Sequence, residues 1–149
     1  MQTAKKTIIE LYSYGEKLHK ELFDLAISSN PDTKTRAEVT SILRAANEFM
    51  TRIAFDYLDK HPFSGNEAKS LFCKKTDVLV TTVFKLVHER FHPLTNRSKN
   101  QSLSLVAIGG YGRGEMAPYS DIDLLFLSPH RQTGWAKSVV ESILYVLWD

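Results

Sequence analysis

The sequence predicts an α+β protein: an N-terminal helical arm followed by the start of a core with an incomplete mixed sheet and flanking helices. Apolar residues recur at helical spacing through the first 92 residues, and two short apolar strands flank a glycine-rich turn further on. We predict a helical arm over residues 1–92, a polar and basic linker over 93–102, and a truncated core domain over 103–149.

Length and composition are those of one ordinary domain, or of a domain with an arm. The chain has 149 residues, 43% of them hydrophobic and 24% charged, and its net charge of +2 implies no broad attraction to nucleic acid or membranes. The single Cys73 fits a reducing compartment, and no apolar run is long enough for a signal or a membrane span. We expect a cytoplasmic protein that binds neither nucleic acid nor membrane.

The first two helices of the arm are predicted from apolar stripes with near-heptad spacing, which favours an antiparallel hairpin. The first covers residues 3–29, with Ile8, Leu11, Gly15, Leu18, Leu22 and Leu25. The second starts at Asn30-Pro31, a cap followed by proline at the first helical position, and stops at His61-Pro62. Its stripe is Val39, Ile42, Ala46, Phe49 and Ile53.

A third helix is predicted from Asn66 to His92, where Pro93 ends it. Its apolar stripe is Leu71, Leu79, Val83, Leu86 and Phe91. Its last turn matches the zinc pattern H-E-x-x-H through His88 and His92. No third ligand of the required kind follows, and the helix dipole alone favours histidine at a C-terminus. We therefore favour a structural role for both histidines.

The residues suited to chemistry lie between Leu105 and Leu127. A strand that starts near Ser102 ends in a run containing four glycines, which leaves backbone N–H groups bare at the start of a weak helix. Such groups bind anions, and the helix dipole adds to the attraction. Arg113, inside this predicted nest, has a guanidinium that can fork onto a phosphate.

Asp121 and Asp123 are predicted to open the second strand. Side chains two apart in a strand share a face, so the carboxylates project together and suit Mg²⁺, which proteins hold by one or two carboxylates plus substrate phosphates. The run 124–127 is apolar on both faces, which predicts a central strand with Leu125 and Leu127 in the interior.

After Ser128-Pro129 ends that strand, a last helix is predicted from Trp135 to Trp148, with Thr133 as its cap. It is apolar over most of its circumference, so it needs cover on more than one side.

Other motifs overlap the glycine run. Residues 112–117 fit the dinucleotide pattern G-x-G-x-x-A, but only six residues, including Pro118, separate Gly114 from Asp121, too few for the crossover helix. A P-loop is excluded because Glu115-Met116 stands where Lys-Ser/Thr is required. An ordinary turn with solvated carboxylates is the remaining structural alternative.

Gly109-Gly110, ten intervening residues and Asp121-Ile122-Asp123 resemble the signature of the polymerase-β-like nucleotidyltransferase superfamily. The fuller run from Gly109 to Leu125 resembles the bacterial bifunctional uridylyltransferase/uridylyl-removing enzymes that act on the nitrogen regulator PII. The likeness is specific over residues 105–127 and looser over the helices. It covers the N-terminal portion of a much longer enzyme, so we expect this chain to be a fragment.

The resemblance implies transfer of UMP from UTP to a tyrosine of PII, with release of pyrophosphate. Asp121 and Asp123 would be catalytic and hold Mg²⁺. The nucleotide would be bound by Gly109, Gly110, Arg113 and Ser120, and the Ser120 side chain would also hydrogen-bond within the turn that positions the carboxylates. A third carboxylate from a later strand is missing, as is the uridylyl-removing hydrolase domain, so we expect the fragment alone to be inactive. Two alternatives remain: another nucleotidyltransferase, such as an adenylyltransferase, or a non-catalytic binding module.

Overall fold

A computed structural model describes residues 2–26, 31–94, 102–129 and 133–148. Those ranges contain five α-helices, one π-helical turn and two strands. In chain order they are α1 (Gln2–Leu25), α2 (Thr33–Lys60), α3 (Gly65–Leu86), the π-helical turn Val87–Phe91, β1 (Ser104–Ala107), α4 (Gly109–Gly112), β2 (Leu124–Leu127) and α5 (Gly134–Trp148). The mostly helical content with one small antiparallel sheet confirms the α+β prediction.

Helices α1, α2 and α3 pack against one another, and α3 makes the most extensive contacts with the other two. The predicted contact between α1 and α2 is present, but it is the smallest of the three. The stripes predicted for α1 and α3 are largely buried. Their fully or almost fully buried members include Leu11, Leu18, Leu22, Leu71, Val83, Leu86 and, in the π-helical turn, Phe91.

The start of α2 differs from the prediction. Its N-cap is Asp32, whose carboxylate accepts a hydrogen bond of 2.8 Å from the N–H of Thr35. Pro31 therefore precedes the cap and is not the first helical residue; Asn30 lies outside the described residues. An aspartate is a strong N-cap in its own right, which explains the shift by two residues.

The buried face of α2 also differs from the predicted stripe. Val39 and Ala46 are fully buried as predicted, but Phe49 is substantially exposed. The rest of the inner face comes from residues the stripe omitted: Leu43, Met50, Ala54 and Tyr57. Two neighbouring stripes on one helix are both apolar here, and the packing of the neighbouring helices selects between them.

Helix α5 packs against α2, α3 and the π-helical turn. The Thr133 hydroxyl accepts a hydrogen bond of 3.1 Å from the N–H of Ala136, which confirms the predicted cap. Val139 and Ile143 are fully buried, whereas Trp148 at the far end is 79% exposed. One side of the broad apolar surface is therefore open to solvent in the described part of the chain.

The two histidines of the H-E-x-x-H pattern serve this packing. The ring of His92 hydrogen-bonds to the Ser142 hydroxyl at 2.8 Å, and the Trp135 indole donates to the His92 carbonyl at 2.9 Å. The ring of His88 meets the Trp135 ring edge-on. Among the described residues, no group of three or more His, Cys, Asp or Glu side chains could hold a metal ion.

Strands β1 and β2 pair antiparallel, with Ala107 opposite Leu124 and Ser104 opposite Leu127. Leu105 and Phe126 face the helices, while Leu125 and Leu127 are 41% and 48% exposed. The prediction of a central strand buried on both faces is therefore wrong for the described residues. The helices cover only one face of the sheet, and an apolar sequence cannot reveal how many strands will flank it.

Candidate functional site

The glycine turn, residues 109–114, connects β1 to the segment that carries the carboxylates. Gly109 starts α4 with a φ of +59°, a left-handed conformation that favours glycine because a Cβ is disfavoured there. A Cβ on Gly109 would also collide with the carboxylate of Asp123. The turn therefore places bare backbone directly against one of the predicted metal ligands.

The far end of α4 is equally close to the sheet. A Cβ on Gly112 would lie 2.9 Å from the carbonyl carbon of Ala107, so the helix folds back onto the end of β1. The N–H groups of Gly109 and Gly110 are in the first turn of α4, where a helix offers no internal acceptor. These two N–H groups therefore belong to the backbone that we predict to bind phosphate. Their role as ligands stays a prediction.

Asp121 and Asp123 are both exposed and come immediately before β2, not within it. The backbone N–H of Ile108 donates to the Asp123 carbonyl at 3.1 Å, which extends the strand pairing by a single residue. Beyond that point the chain turns into α4, so Asp121 has no strand opposite it. The prediction that these aspartates open the strand is therefore wrong, because both precede it.

Ser120 closes the turn that leads into the carboxylates. Its hydroxyl accepts a hydrogen bond of 2.9 Å from the N–H of Ala117, and its own N–H donates to the Ala117 carbonyl at 3.2 Å. Tyr119, between them, has a φ of +66°. The side chain of Ser120 therefore stabilises the turn through a hydrogen bond, as expected, and its contact with a nucleotide stays a prediction.

Arg113 lies at the C-terminal end of α4 instead of inside its first turn. Its side chain is mostly exposed and forms an ion pair of 3.2 Å with Glu115. Exposed ion pairs contribute little stability, so a phosphate can compete with Glu115 for this guanidinium. The role of Arg113 as a nucleotide ligand stays a prediction.

Tyr111 and Asp77 are the residues that sequence reasoning missed. Tyr111 is the one bulky apolar side chain in the turn, and it is buried. Its hydroxyl donates to the carboxylate of Asp77 on α3 at 2.9 Å. Burial raises the pKa of Tyr111, and the hydrogen bond and charge of Asp77 raise it further, so the phenol stays protonated. An aromatic residue among glycines was the available signal; its partner 34 residues away was not predictable.

A cavity of about 830 Å³ lies between α2, α3, the segment around residues 116–122 and the end of α5. Tyr119, Ser120 and Ile122 line it, so it borders the segment that carries the two aspartates. Lys75 also lines it and donates to the side-chain oxygen of Asn47 at 2.7 Å. Burial lowers the pKa of Lys75.

The donor set fits Mg²⁺ in part. Two exposed carboxylates two residues apart are hard oxygen ligands, and the remaining positions around the ion are ones that phosphate oxygens of a bound nucleotide commonly fill. The side chain of Asp123 also lies against the backbone of Gly109, beside the N–H groups that would meet those phosphates. The residues predicted to hold the metal and the backbone predicted to bind the nucleotide phosphates thus adjoin each other at Gly109 and Asp123.

Comparison with known proteins identifies the class. Residues 93–149 match the family model of the nucleotidyltransferase domain. This range contains the glycine turn, both aspartates and α5, and it begins where we predicted the linker to begin; the domain boundaries themselves stay a prediction. No solved structure matches the chain. The glycine turn with its two aspartates is therefore part of a nucleotidyltransferase domain.

Three curated relatives narrow this class, and each is named a bifunctional uridylyltransferase/uridylyl-removing enzyme. The relative from Ruegeria pomeroyi is 36% identical over 126 residues, and that from Erythrobacter litoralis 37% over 124 residues. These matches cover 85% and 83% of this chain and 14% of each relative. The relative from Cereibacter sphaeroides is 54% identical over 74 residues, which is 50% of this chain and 8% of the relative.

The chain is thus similar over most of its length to bifunctional uridylyltransferase/uridylyl-removing enzymes, and it spans about 14% of the length of the relatives from Ruegeria pomeroyi and Erythrobacter litoralis. Within the described residues, no helix combines the length and the apolarity needed to cross a membrane.

Proposed function

We propose that this chain contributes the nucleotide-binding part of a site that transfers UMP from UTP to a tyrosine of the protein PII, releasing pyrophosphate. The observation that carries the proposal is the contact between Gly109 and the carboxylate of Asp123. It supports the proposal because the backbone expected to bind phosphate and the side chain expected to hold the metal meet at this point. The relatives' shared name supports uridylyl transfer, and PII as the acceptor follows from the family resemblance.

In this proposal Asp121 and Asp123 hold one Mg²⁺, which would neutralise charge on the triphosphate when bound. The N–H groups of Gly109 and Gly110 hold phosphate oxygens, and Arg113 leaves Glu115 to add a charged hydrogen bond. Little covalent chemistry is required of the protein in transfers of this kind, since positioning and electrostatic stabilisation supply most of the rate.

The location and partners belong to the same proposal. UTP and PII are its partners, Mg²⁺ its cofactor and the cytoplasm its compartment, with no role for nucleic acid or membrane. The near-neutral net charge of +2 supports the last point, because proteins that bind nucleic acid without a local patch are strongly basic.

The test is calorimetric titration of the purified chain with UTP in the presence of Mg²⁺. Asp123→Asn removes one anionic ligand and should weaken UTP binding about tenfold or more, while leaving thermal stability unchanged because the side chain is exposed. Asp59→Asn, an exposed aspartate of α2, is the matched control and should bind as the wild type does. Equal affinity of all three proteins would sink the proposal.

Competition among UTP, ATP, CTP and GTP addresses the alternative nucleotidyltransferases. A preference for UTP is expected, and a preference for ATP would favour an adenylyltransferase.

A further inference from the structure

The glycine turn is attached to the helical arm by one side chain. Tyr111 is the middle of α4, and its ring is buried against the core that α1, α2 and α3 build. Its hydroxyl reaches the carboxylate of Asp77, in the middle of α3, at 2.9 Å. A buried hydroxyl that loses its partner carries a desolvation penalty, so this bond fixes where the ring can lie.

Both carboxylate oxygens of Asp77 accept a hydrogen bond. One carboxylate oxygen accepts from Tyr111, and the other accepts from the ammonium of Lys74, one turn earlier on α3, at 2.9 Å. The hydrogen bond to Asp77 raises the pKa of Lys74, so the ammonium of Lys74 stays charged. Hydrogen bonds to an ionised acceptor are stronger than neutral ones, and a helix is a more rigid support than a loop.

The residues just before Tyr111 contact Asp123, so the position of Tyr111 affects the carboxylate site. Gly109 is two residues before Tyr111 and lies against the Asp123 side chain. Ile108, one residue earlier, donates its N–H to the Asp123 carbonyl. With contacts this close at both ends, a displacement of Tyr111 has to alter the distance between the turn's N–H groups and the Asp123 carboxylate.

We propose that Asp77 is a positioning residue: through Tyr111, it holds the glycine turn at the distance from Asp123 that a metal-bound triphosphate requires. Helix α3 is then part of the nucleotide site's geometry and not only a support for the core. This inference rests on the proposed function, since it assumes that the turn and Asp123 share one ligand.

The variants separate the hydrogen bond from other roles of the two side chains. Tyr111→Phe removes one oxygen, Asp77→Ala removes the acceptor, and Asp77→Asn keeps an acceptor oxygen but loses the charge. Each is compared with Tyr57→Phe, a buried tyrosine of α2 that stacks on His61. Affinity for UTP with Mg²⁺, thermal stability and hydrogen exchange of the amides at residues 109–115 are measured for every variant.

Positioning predicts that Tyr111→Phe and Asp77→Ala each weaken UTP binding about tenfold. The double variant should be no weaker than either single variant, because all three remove the same bond. Asp77→Asn should recover most of the affinity, and exchange at residues 109–115 should be faster in the two disruptive variants. Tyr57→Phe should leave binding and this exchange unchanged even where it lowers stability.

Two results would overturn the inference, and they differ from failure of the proposed function. If UTP binds in an Asp123-dependent manner but Tyr111→Phe and Asp77→Ala bind it as tightly as the wild type, Asp77 does not position the turn. If the wild type binds no UTP, the proposed function fails, and hydrogen exchange at residues 109–115 then tests the restraint by itself. Unchanged exchange in Tyr111→Phe would show that the bond to Asp77 does not hold the turn either.

Discussion

Replacing Gly109 by alanine tests the site at its closest contact. The backbone there has a φ of +59°, so alanine incurs a left-handed penalty of about 1–2 kcal/mol. The new Cβ would also overlap the Asp123 carboxylate, which has to rotate away or push the turn off the sheet. Gly109→Ala therefore perturbs the backbone and the predicted metal ligand together.

A second glycine in the same turn separates these two effects. Gly114 also has a positive φ, +71°, but a Cβ there meets nothing within 4 Å. Gly114→Ala should show the backbone penalty alone. At about 2–4 °C per kcal/mol for a chain of this size, we expect Gly114→Ala to melt roughly 2–8 °C below the wild type and Gly109→Ala to melt at least as far below it.

The two variants should differ in nucleotide binding. Gly109→Ala displaces the Asp123 carboxylate and should weaken UTP binding with Mg²⁺ by at least about tenfold, since site geometry has to be held within about 0.5 Å. Gly114→Ala should bind within about threefold of the wild type, the change expected of a backbone penalty spread over the turn. Thermal unfolding gives the melting temperature and calorimetric titration gives the affinity for UTP, both measured on the same samples. Equal losses of affinity in the two variants would refute the argument that the Asp123 contact is what matters.

Two further predictions concern stability. Ile143→Ala, in the buried face of α5, should lower the free energy of unfolding by about 2–5 kcal/mol, whereas Ile9→Ala, at a position 66% exposed, should change it far less; similar losses in denaturant melts would contradict the packing described. Burial, and secondarily the charge of Arg36, lowers the pKa of His92 in the folded state. Its contribution to stability is thus complete above the unfolded pKa of about 6.5 and is lost as the pH falls below it. In His92→Gln, the melting temperature should fall less steeply between about pH 7 and 5 than in the wild type. The remaining slope should come from His19, whose pKa is also lowered by burial. An unchanged slope would show that His92 does not titrate in this way.

Local signals in the sequence predicted local structure well. Thr133 caps α5 as predicted, and the stripes of α1 and α3 face the core. Those predictions needed only spacing along one helix, because a helix repeats its contacts every three or four residues. The hydrogen bond of Ser120 within its turn was equally local.

Features that depend on a partner far away in the chain were missed or misplaced. The choice of Leu43 and Met50 over Phe49 for the inner face of α2 depends on where the helices around α2 pack. The end of the strand pairing at Asp123 depends on where β1 stops and α4 starts. No pattern in the sequence pairs Tyr111 with Asp77, since neither residue type specifies a partner.

The two tryptophans of α5 give the protein a pair of built-in optical probes. Trp135 bonds to the His92 carbonyl and contacts the His88 ring, while Trp148 is 79% exposed. At about 1.5 Å per residue they stand roughly 20 Å apart along one helix. Iodide should quench Trp148 first, so the emission that survives quenching reports how firmly the start of α5 stays docked. A Trp148→Phe protein would isolate that signal and allow docking to be followed in stopped flow.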